Sequence, residues 1–377
     1  MSITSSSFGK TAKGEEVTRY TLTNKTGASV SILDFGGIVH SIIVPDKTGE
    51  MDDVALGFAD VATYEGPKCG SMGMLIGRVG NRIAGASFEL DGKTYRLTPN
   101  DGPNNLHGGP VGFGKRMWHA QPVENGEEGD SLILTLVSED GDQGFPGRLD
   151  VKVTYTFTKD NDLKIHYEAT TDKPTIINLT NHAYFNLFGH HKCDIRDMML
   201  QIFAPEVTDV GPGLIPTGEL VDITEDAWDF SQPRRLGNPL ALAVSNIRLK
   251  AAGGVDFNYC PGKDHEMKKV AELVARRFVG RVMEVYSDQP GLQCYTGQGL
   301  DVDGKDGVHY TRCSGVCLET QHYPDAVHHP NFPSIVLRPG EKYDTETVYS
   351  FRLLPPNKWD LKQQERKAQR DARRRQH

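Results

Sequence analysis

Long apolar runs are missing from this 377-residue sequence, and none approaches the length of a membrane-spanning helix. The opening residues, Met1 to Phe8, hold no basic stretch leading into an apolar one, which argues against a secretory leader. Basic excess is also missing. Forty-two Lys and Arg stand against 50 Asp and Glu, giving a formal charge of −8. The pI near 5.9 argues against nucleic acid or an anionic membrane surface as the main partner, since both reward a basic protein. Cysteine is scarce: Cys69, Cys193, Cys260, Cys294, Cys313 and Cys317 are scattered, with no Cys-x-x-Cys pair. If Cys313 and Cys317 share a strand, four steps of ~3.3 Å part them too far for a disulfide. Reduced thiols and a cytoplasmic location are expected, so the sequons at Asn24 and Asn178 carry no weight.

Helical periodicity is absent from the body of the chain, and a period of two dominates instead. Phe88 and Leu90 alternate with polar neighbours, Asp91-Gly92 follows, and Tyr95 and Leu97 resume the alternation, which is a hairpin signal. Val151, Val153, Tyr155 and Phe157 alternate likewise, and after Asp160-Asn161-Asp162 so do Leu163, Ile165, Tyr167 and Ala169. Leu132, Leu134 and Leu136 mark another half-buried strand. Residues 270–285 fit either a helix or a two-stranded ribbon, and the ribbon is the better fit. Forty glycines and 21 prolines, spread along the chain, suit many turns. Many strands without intervening helices imply antiparallel sheets in a sandwich or barrel. No linker-like break appears, so residues 1–357 are expected to form one all-β domain. Residues 358–377 carry Lys358, Lys362, Arg366, Lys367, Arg370, Arg373, Arg374 and Arg375 against three acids, and are expected to be a frayed basic tail.

Four polar clusters could carry chemistry. Gly77-Arg-Val-Gly-Asn81-Arg82 offers guanidinium forks for ligand oxygens, or a surface turn with exposed arginines. It lacks the Gly-Lys-Ser/Thr of a phosphate loop. Pro99 to Gly109 is dense in turn residues and sets His107 among glycines, where a ligand can approach closely; a self-capped turn is the bland alternative. In Asn178 to Leu187, a strand would place Asn178, Thr180, His182 and Tyr184 on one face and Ile177, Leu179, Ala183 and Phe185 on the core face. In Cys313 to Gln321, Cys317, Glu319 and Gln321 share a face opposite Val316 and Leu318. A carboxylate losing water beside a half-buried thiol gains a pKa suited to a base. Glu319, His322, His328 and His329 lie close in sequence, but their spacing matches no standard zinc pattern.

With these residues together, the chain resembles the aldose 1-epimerase (galactose mutarotase) family. The likeness runs from about Phe35 to Glu341 through Gly77-Arg-Val-Gly-Asn-Arg82, Asn105-Leu-His-Gly-Gly109, Asn181-His-Ala-Tyr-Phe-Asn-Leu187, Gly254-Val-Asp256, Leu292-Gln-Cys-Tyr-Thr-Gly297 and Leu318-Glu-Thr-Gln321. The resemblance implies a large antiparallel β-sandwich, the supersandwich, with a sugar site on a concave face. It implies interconversion of the α and β anomers of free hexoses without metal or other cofactor. By matching motifs, Glu319 is the expected base, His182 the acid and His107 an assistant, while Asn81, Arg82, Asp256 and Gln293 hold sugar hydroxyls. The implied partner is a small sugar, and a monomer or weak homo-oligomer is expected. Cys294, where relatives tend to carry a bulkier residue, and the His328-His329 pair depart from the family pattern. Three rival readings remain: a glycoside hydrolase using Asp256 and Glu319 as paired carboxylates, a carbohydrate-binding module without catalysis, and an epimerase of phosphorylated hexose, which should prefer a more basic site than the arginines at 78 and 82 establish.

Overall fold

The computed structural model describes residues 2–355, apart from 125, 225, 243–245 and 264. The expected basic tail at 358–377 lies outside the described residues. Strands dominate the rest, and the α-helices among the described residues are short: Val61–Glu65, Gly237–Leu242 and Ile247–Ala252.

The alternating segments of the sequence are strands in the expected register. Leu149–Thr158 and Asp162–Thr171 pair antiparallel, with Phe157 opposite Leu163 and Tyr155 opposite Ile165. Asn161 turns the chain between them at φ +63°. Asp91 and Gly92, at φ +51° and +75°, close the hairpin between Ser87–Leu90 and Lys93–Arg96, as a two-residue turn with both central residues left-handed should. The ambiguous 270–285 stretch is a ribbon, Lys268–Ala275 against Arg281–Ser287.

Two sheets make the sandwich. The larger has nine strands, in the order His119–Val123, Gly129–Ser138, Leu149–Thr158, Asp162–Thr171, Tyr343–Leu353, Arg281–Ser287, Lys268–Ala275, Met199–Ile202 and Arg234–Arg235. The other has six, in the order Tyr184–Phe185, Val316–Gln321, Gly291–Tyr295, Asp256–Tyr259, Glu206–Val210 and Pro216–Asp222. Every named pairing is antiparallel. The main core lies between them. Phe185, Phe257, Tyr259, Leu292, Val316 and Leu318 of the smaller sheet pack in one cluster with Val153, Tyr155, Ile165, Met283, Val285, Tyr349 and Phe351 of the larger. Each such side chain stabilises the fold by roughly 1.5–3 kcal/mol on burial. The Tyr349 hydroxyl donates to the Leu318 carbonyl at 2.8 Å, and the Thr320 and Thr347 hydroxyls bond to each other. The strand bearing Glu319 is thereby fixed to the middle of the larger sheet. A further five-stranded sheet, Ser2–Lys10 to Met51–Asp53, runs in simple meander order.

Period two now dictates the site. If one face of the six-stranded sheet supplies the core, the alternate residues must point the other way. Register puts Asn258, Gln293 and Glu319 in one row across three strands. Asp256, Tyr295, Cys317 and Tyr184 form the next row. That second face is polar and titratable.

Candidate active site

Glu319 is anchored at the centre of its strand, with Leu318 and Thr320 holding the far side. Its side chain is 2% exposed. Oε1 lies 3.7 Å from His182 Nε2, while Oε2 is buried without a partner inside the protein. Burial pushes the carboxyl well above the ordinary carboxylate range, and the nearby Asp256 charge pushes it further.

His182 sits in a break between two short strands, Thr180–Asn181 and Tyr184–Phe185, which pair with Leu75–Ile76 and with Phe185's partner strand Val316–Gln321. Its backbone is tied at both ends, the amide to the Met74 carbonyl at 2.9 Å and the carbonyl to the Gly73 amide at 2.9 Å. The ring stacks on Tyr184 (centroids 5.1 Å apart, 29° between planes) and meets Tyr295 edge-on. Nδ1 is 3.5 Å from Cys317 Sγ. Burial lowers the imidazole pKa to about 4, so the ring is neutral near pH 7.

His107 approaches from a loop whose backbone is left-handed at His107 itself (φ +54°) and at Asn81 (φ +58°). The two residues brace each other. The His107 amide donates to the Asn81 carbonyl at 3.0 Å, and the Asn81 amide donates to His107 Nδ1 at 3.2 Å. Because Nδ1 accepts, the neutral ring carries its proton on Nε2. The ring meets His182 edge-on at 5.3 Å. Its pKa falls well below the ordinary value, by burial first and then by the nearby His182 and Arg82. Gly108 follows at φ +82°, and a Cβ there would lie 2.1 Å from the Gly77 carbonyl oxygen, so only glycine permits the loop to close.

Asp256 and Gln293 share a bond, Nε2 to Oδ1 at 2.6 Å. Burial raises the Asp256 pKa to about 6, against the pull of Arg82 and of the Gln293 bond. Arg82 is held at the rim by Asp101, with Nε to Oδ2 at 2.7 Å. Beyond Arg82 a cleft of about 770 Å³ opens between residues 101–104, 210–214 and Arg248.

Glu319, His182, His107, Asn81, Arg82, Asp256 and Gln293 therefore gather in one place. Other expectations need correction. Arg78 is not a ligand fork: its guanidinium is buried and donates to the Pro146, Gly147 and Ser138 carbonyls and to the Ser138 hydroxyl, at 2.7–3.0 Å. Residues 178–184 are not one strand with a wet face, since both faces are buried. Asn178 instead clamps the end of the Glu319 strand through both the amide and the carbonyl of His322. Cys313 lies outside that strand, in a turn at φ +64°, and Cys317 is fully rather than half buried. All six cysteines are free. The Glu319–His322–His328–His329 group does not assemble, because His328 turns to Asp325, with Nδ1 to Oδ1 at 2.6 Å. Among the described residues, the tight groups of possible metal donors are His182–Cys317–Glu319 and His166–Glu168–Asp344. Asp101 and Tyr295 were missed by motif reading. Alternation from Gln293 would have found Tyr295, whereas Asp101 gave no local signal.

Comparison with known proteins decides what the site belongs to. Residues 18–350 match the family described as aldose 1-epimerase. The chain belongs to the aldose 1-epimerase family. It is 40% identical over 355 residues to galactose mutarotase from Sus scrofa, covering 94% of this chain and 99% of that one. It is 36% identical over 341 residues to aldose 1-epimerase from Escherichia coli, covering 90% and 96%. A solved aldose epimerase homologue from C. elegans superposes with a TM-score of 0.80 at 31% identity, over 89% of this chain and 98% of that one. The galactose mutarotase-like all-β fold is thus shared over most of the chain, and mutarotation of an aldose is its activity.

Proposed function

We propose that Glu319 and His182 are the acid–base pair of this mutarotase, acting on free hexoses such as galactose and glucose. The observation carrying this reading is the 3.7 Å approach of His182 Nε2 to Glu319 Oε1 on a buried polar face. The two oxygens of a hemiacetal share one carbon, so a base for O1 and an acid for the ring oxygen must stand side by side. Glu319 takes the proton from the anomeric hydroxyl as His182 protonates the ring oxygen, and the C1–O5 bond breaks. The aldehyde rotates about C1–C2. On closure the ring oxygen gives its proton back to His182 and Glu319 gives its proton to O1, so the pair ends as it began.

The pair needs one proton between its members. Burial favours placing it on the carboxyl, with the imidazole neutral. The ionised arrangement has the same proton count, and sugar hydroxyls donating to Glu319 bring it within reach. A positioned acid and base each contribute ~10²–10⁴ in rate. Asp256, Gln293, Asn81 and Arg82 hold the hydroxyls, and His107 Nε2–H steadies the ring oxygen. Galactose as substrate follows the names of the relatives. Six free thiols suit a reducing cytoplasm, and we take the working form to be a monomer or weak homo-oligomer.

Polarimetry of freshly dissolved α-D-galactose tests the reading. The protein should speed the drift to equilibrium and leave methyl galactoside intact. Release of reducing sugar from the glycoside would favour the hydrolase, and an unchanged drift would favour a binding module.

A further inference from the structure

We propose that the Gln321 carboxamide is an additional sugar-binding group, which takes the hydroxyl on the carbon next to the anomeric centre. The inference rests on the acid–base reading above and adds to it a determinant of substrate choice. Gln321 lies two residues beyond Glu319 on the same strand and the same face, opposite Gly291. Its side chain is completely buried, yet neither Oε1 nor Nε2 has a partner within the protein. Unmade buried hydrogen bonds are unfavourable. Glu319 Oε2 and Gln293 Oε1, on that same face, are in the same condition.

Two glycines keep the surroundings of this amide open. A Cβ on Gly80 would lie 3.6 Å from Gln321 Oε1 and 3.4 Å from Thr180 Cγ2, and the Thr180 hydroxyl is itself unpartnered. A Cβ on Gly291 would come within 2.5 Å of Asn258 Oδ1, which also lacks a partner. Side chains at either position would fill the cradle around Gln321.

The chemistry of the cradle names its guest. A carboxamide offers one donor edge and one acceptor edge. A hydroxyl is both donor and acceptor, so it can use both at once, whereas a carboxylate or an ammonium can use only one. Geometry selects which hydroxyl. The anomeric carbon is flanked by the ring oxygen and by C2. His182 reaches Glu319 from the side of Cys317, two residues before it, and so claims the ring-oxygen side. Gln321 stands two residues after Glu319, on the C2 side.

The test compares galactose with 2-deoxygalactose in the native enzyme and in Gln321→Leu, with Gln321→Asn as a shorter amide. Rates are followed by polarimetry, and thermal melting checks the fold. The native enzyme should favour galactose by roughly 10- to 100-fold in kcat/KM. Gln321→Leu should lose that factor on galactose and stay unchanged on 2-deoxygalactose, so the preference collapses. Gln321→Asn should keep part of it. Equal losses on both sugars, or no preference in the native enzyme, would overturn the proposal. Glu319→Gln in the same assay separates the two claims. If it is inactive while Gln321→Leu falls equally on both sugars, only this inference fails; if it stays active, the acid–base reading fails first.

Discussion

Glu319→Gln should make the protein more stable, by an amount that depends on pH. The substitution keeps the shape of a side chain that is 2% exposed and removes its ability to ionise. In the unfolded chain Glu319 releases its proton near the ordinary value of 4.5, whereas in the fold burial and Asp256 hold the proton to a much higher pH. The folded state therefore binds more protons, and the native enzyme loses stability as pH rises from the ordinary value towards the folded one. Gln has no such dependence. The gap should widen by about 1.4 kcal/mol per pH unit across that window and then level off. Any two pH points inside that window should therefore separate the two proteins measurably in Tm. Parallel melting curves across pH measure it. If the two proteins melt together at every pH, or if Gln melts lower by a constant amount, the carboxyl is solvated or paired in solution and the argument for its raised pKa fails.

Other outcomes follow from neighbouring contacts. Arg78→Met leaves several buried carbonyls without a donor and should cost about 3–5 kcal/mol, seen as a lower Tm with KM for sugar unchanged in the surviving fold. Asp101→Asn releases Arg82 from its 2.7 Å ion pair. It should raise KM by roughly 3- to 10-fold with little change in kcat, because a half-buried pair of this kind contributes about 1 kcal/mol. Asp256 should pick up a proton as pH falls through about 6, so KM should rise on the acid side and Asp256→Asn should flatten that limb of the KM–pH profile. Gly108→Ala places a methyl against the Gly77 carbonyl at φ +82° and should lower Tm by several degrees, since the strain is on the order of 1–3 kcal/mol before the clash is counted.

Most of the fold was legible because antiparallel strands write their inward and outward faces into alternate residues. Phe157 and Leu163 could be placed opposite each other from the pattern alone, whereas the 270–285 ribbon fitted a helical period as well and only its pairing in the fold decided it. The site was legible for a related reason: Glu319, Gln293 and Asp256 must share a face once Leu318, Leu292 and Phe257 are assigned to the core. Alternation failed where strands shrink to two residues. Around His182 the chain is held by pairing with Leu75–Ile76 and by the clamp of Asn181 on Gly73, which are long-range contacts with no local period. Arg78 and Arg82 show the same limit. Four residues apart and chemically identical, one fastens loops from inside and the other faces the cavity, and only the folded neighbours distinguish them.

Magnetisation exchange between the anomeric protons of α- and β-galactose at equilibrium, read by NMR, reports ring opening and closure directly. With the native protein, exchange should be fast and proportional to enzyme concentration. With Glu319→Gln or His182→Gln, each still folded and still binding galactose, it should fall by ~10²–10⁴ towards the uncatalysed rate. Exchange at the native rate in either variant would contradict the claim that this carboxylate and this imidazole work together on one hemiacetal.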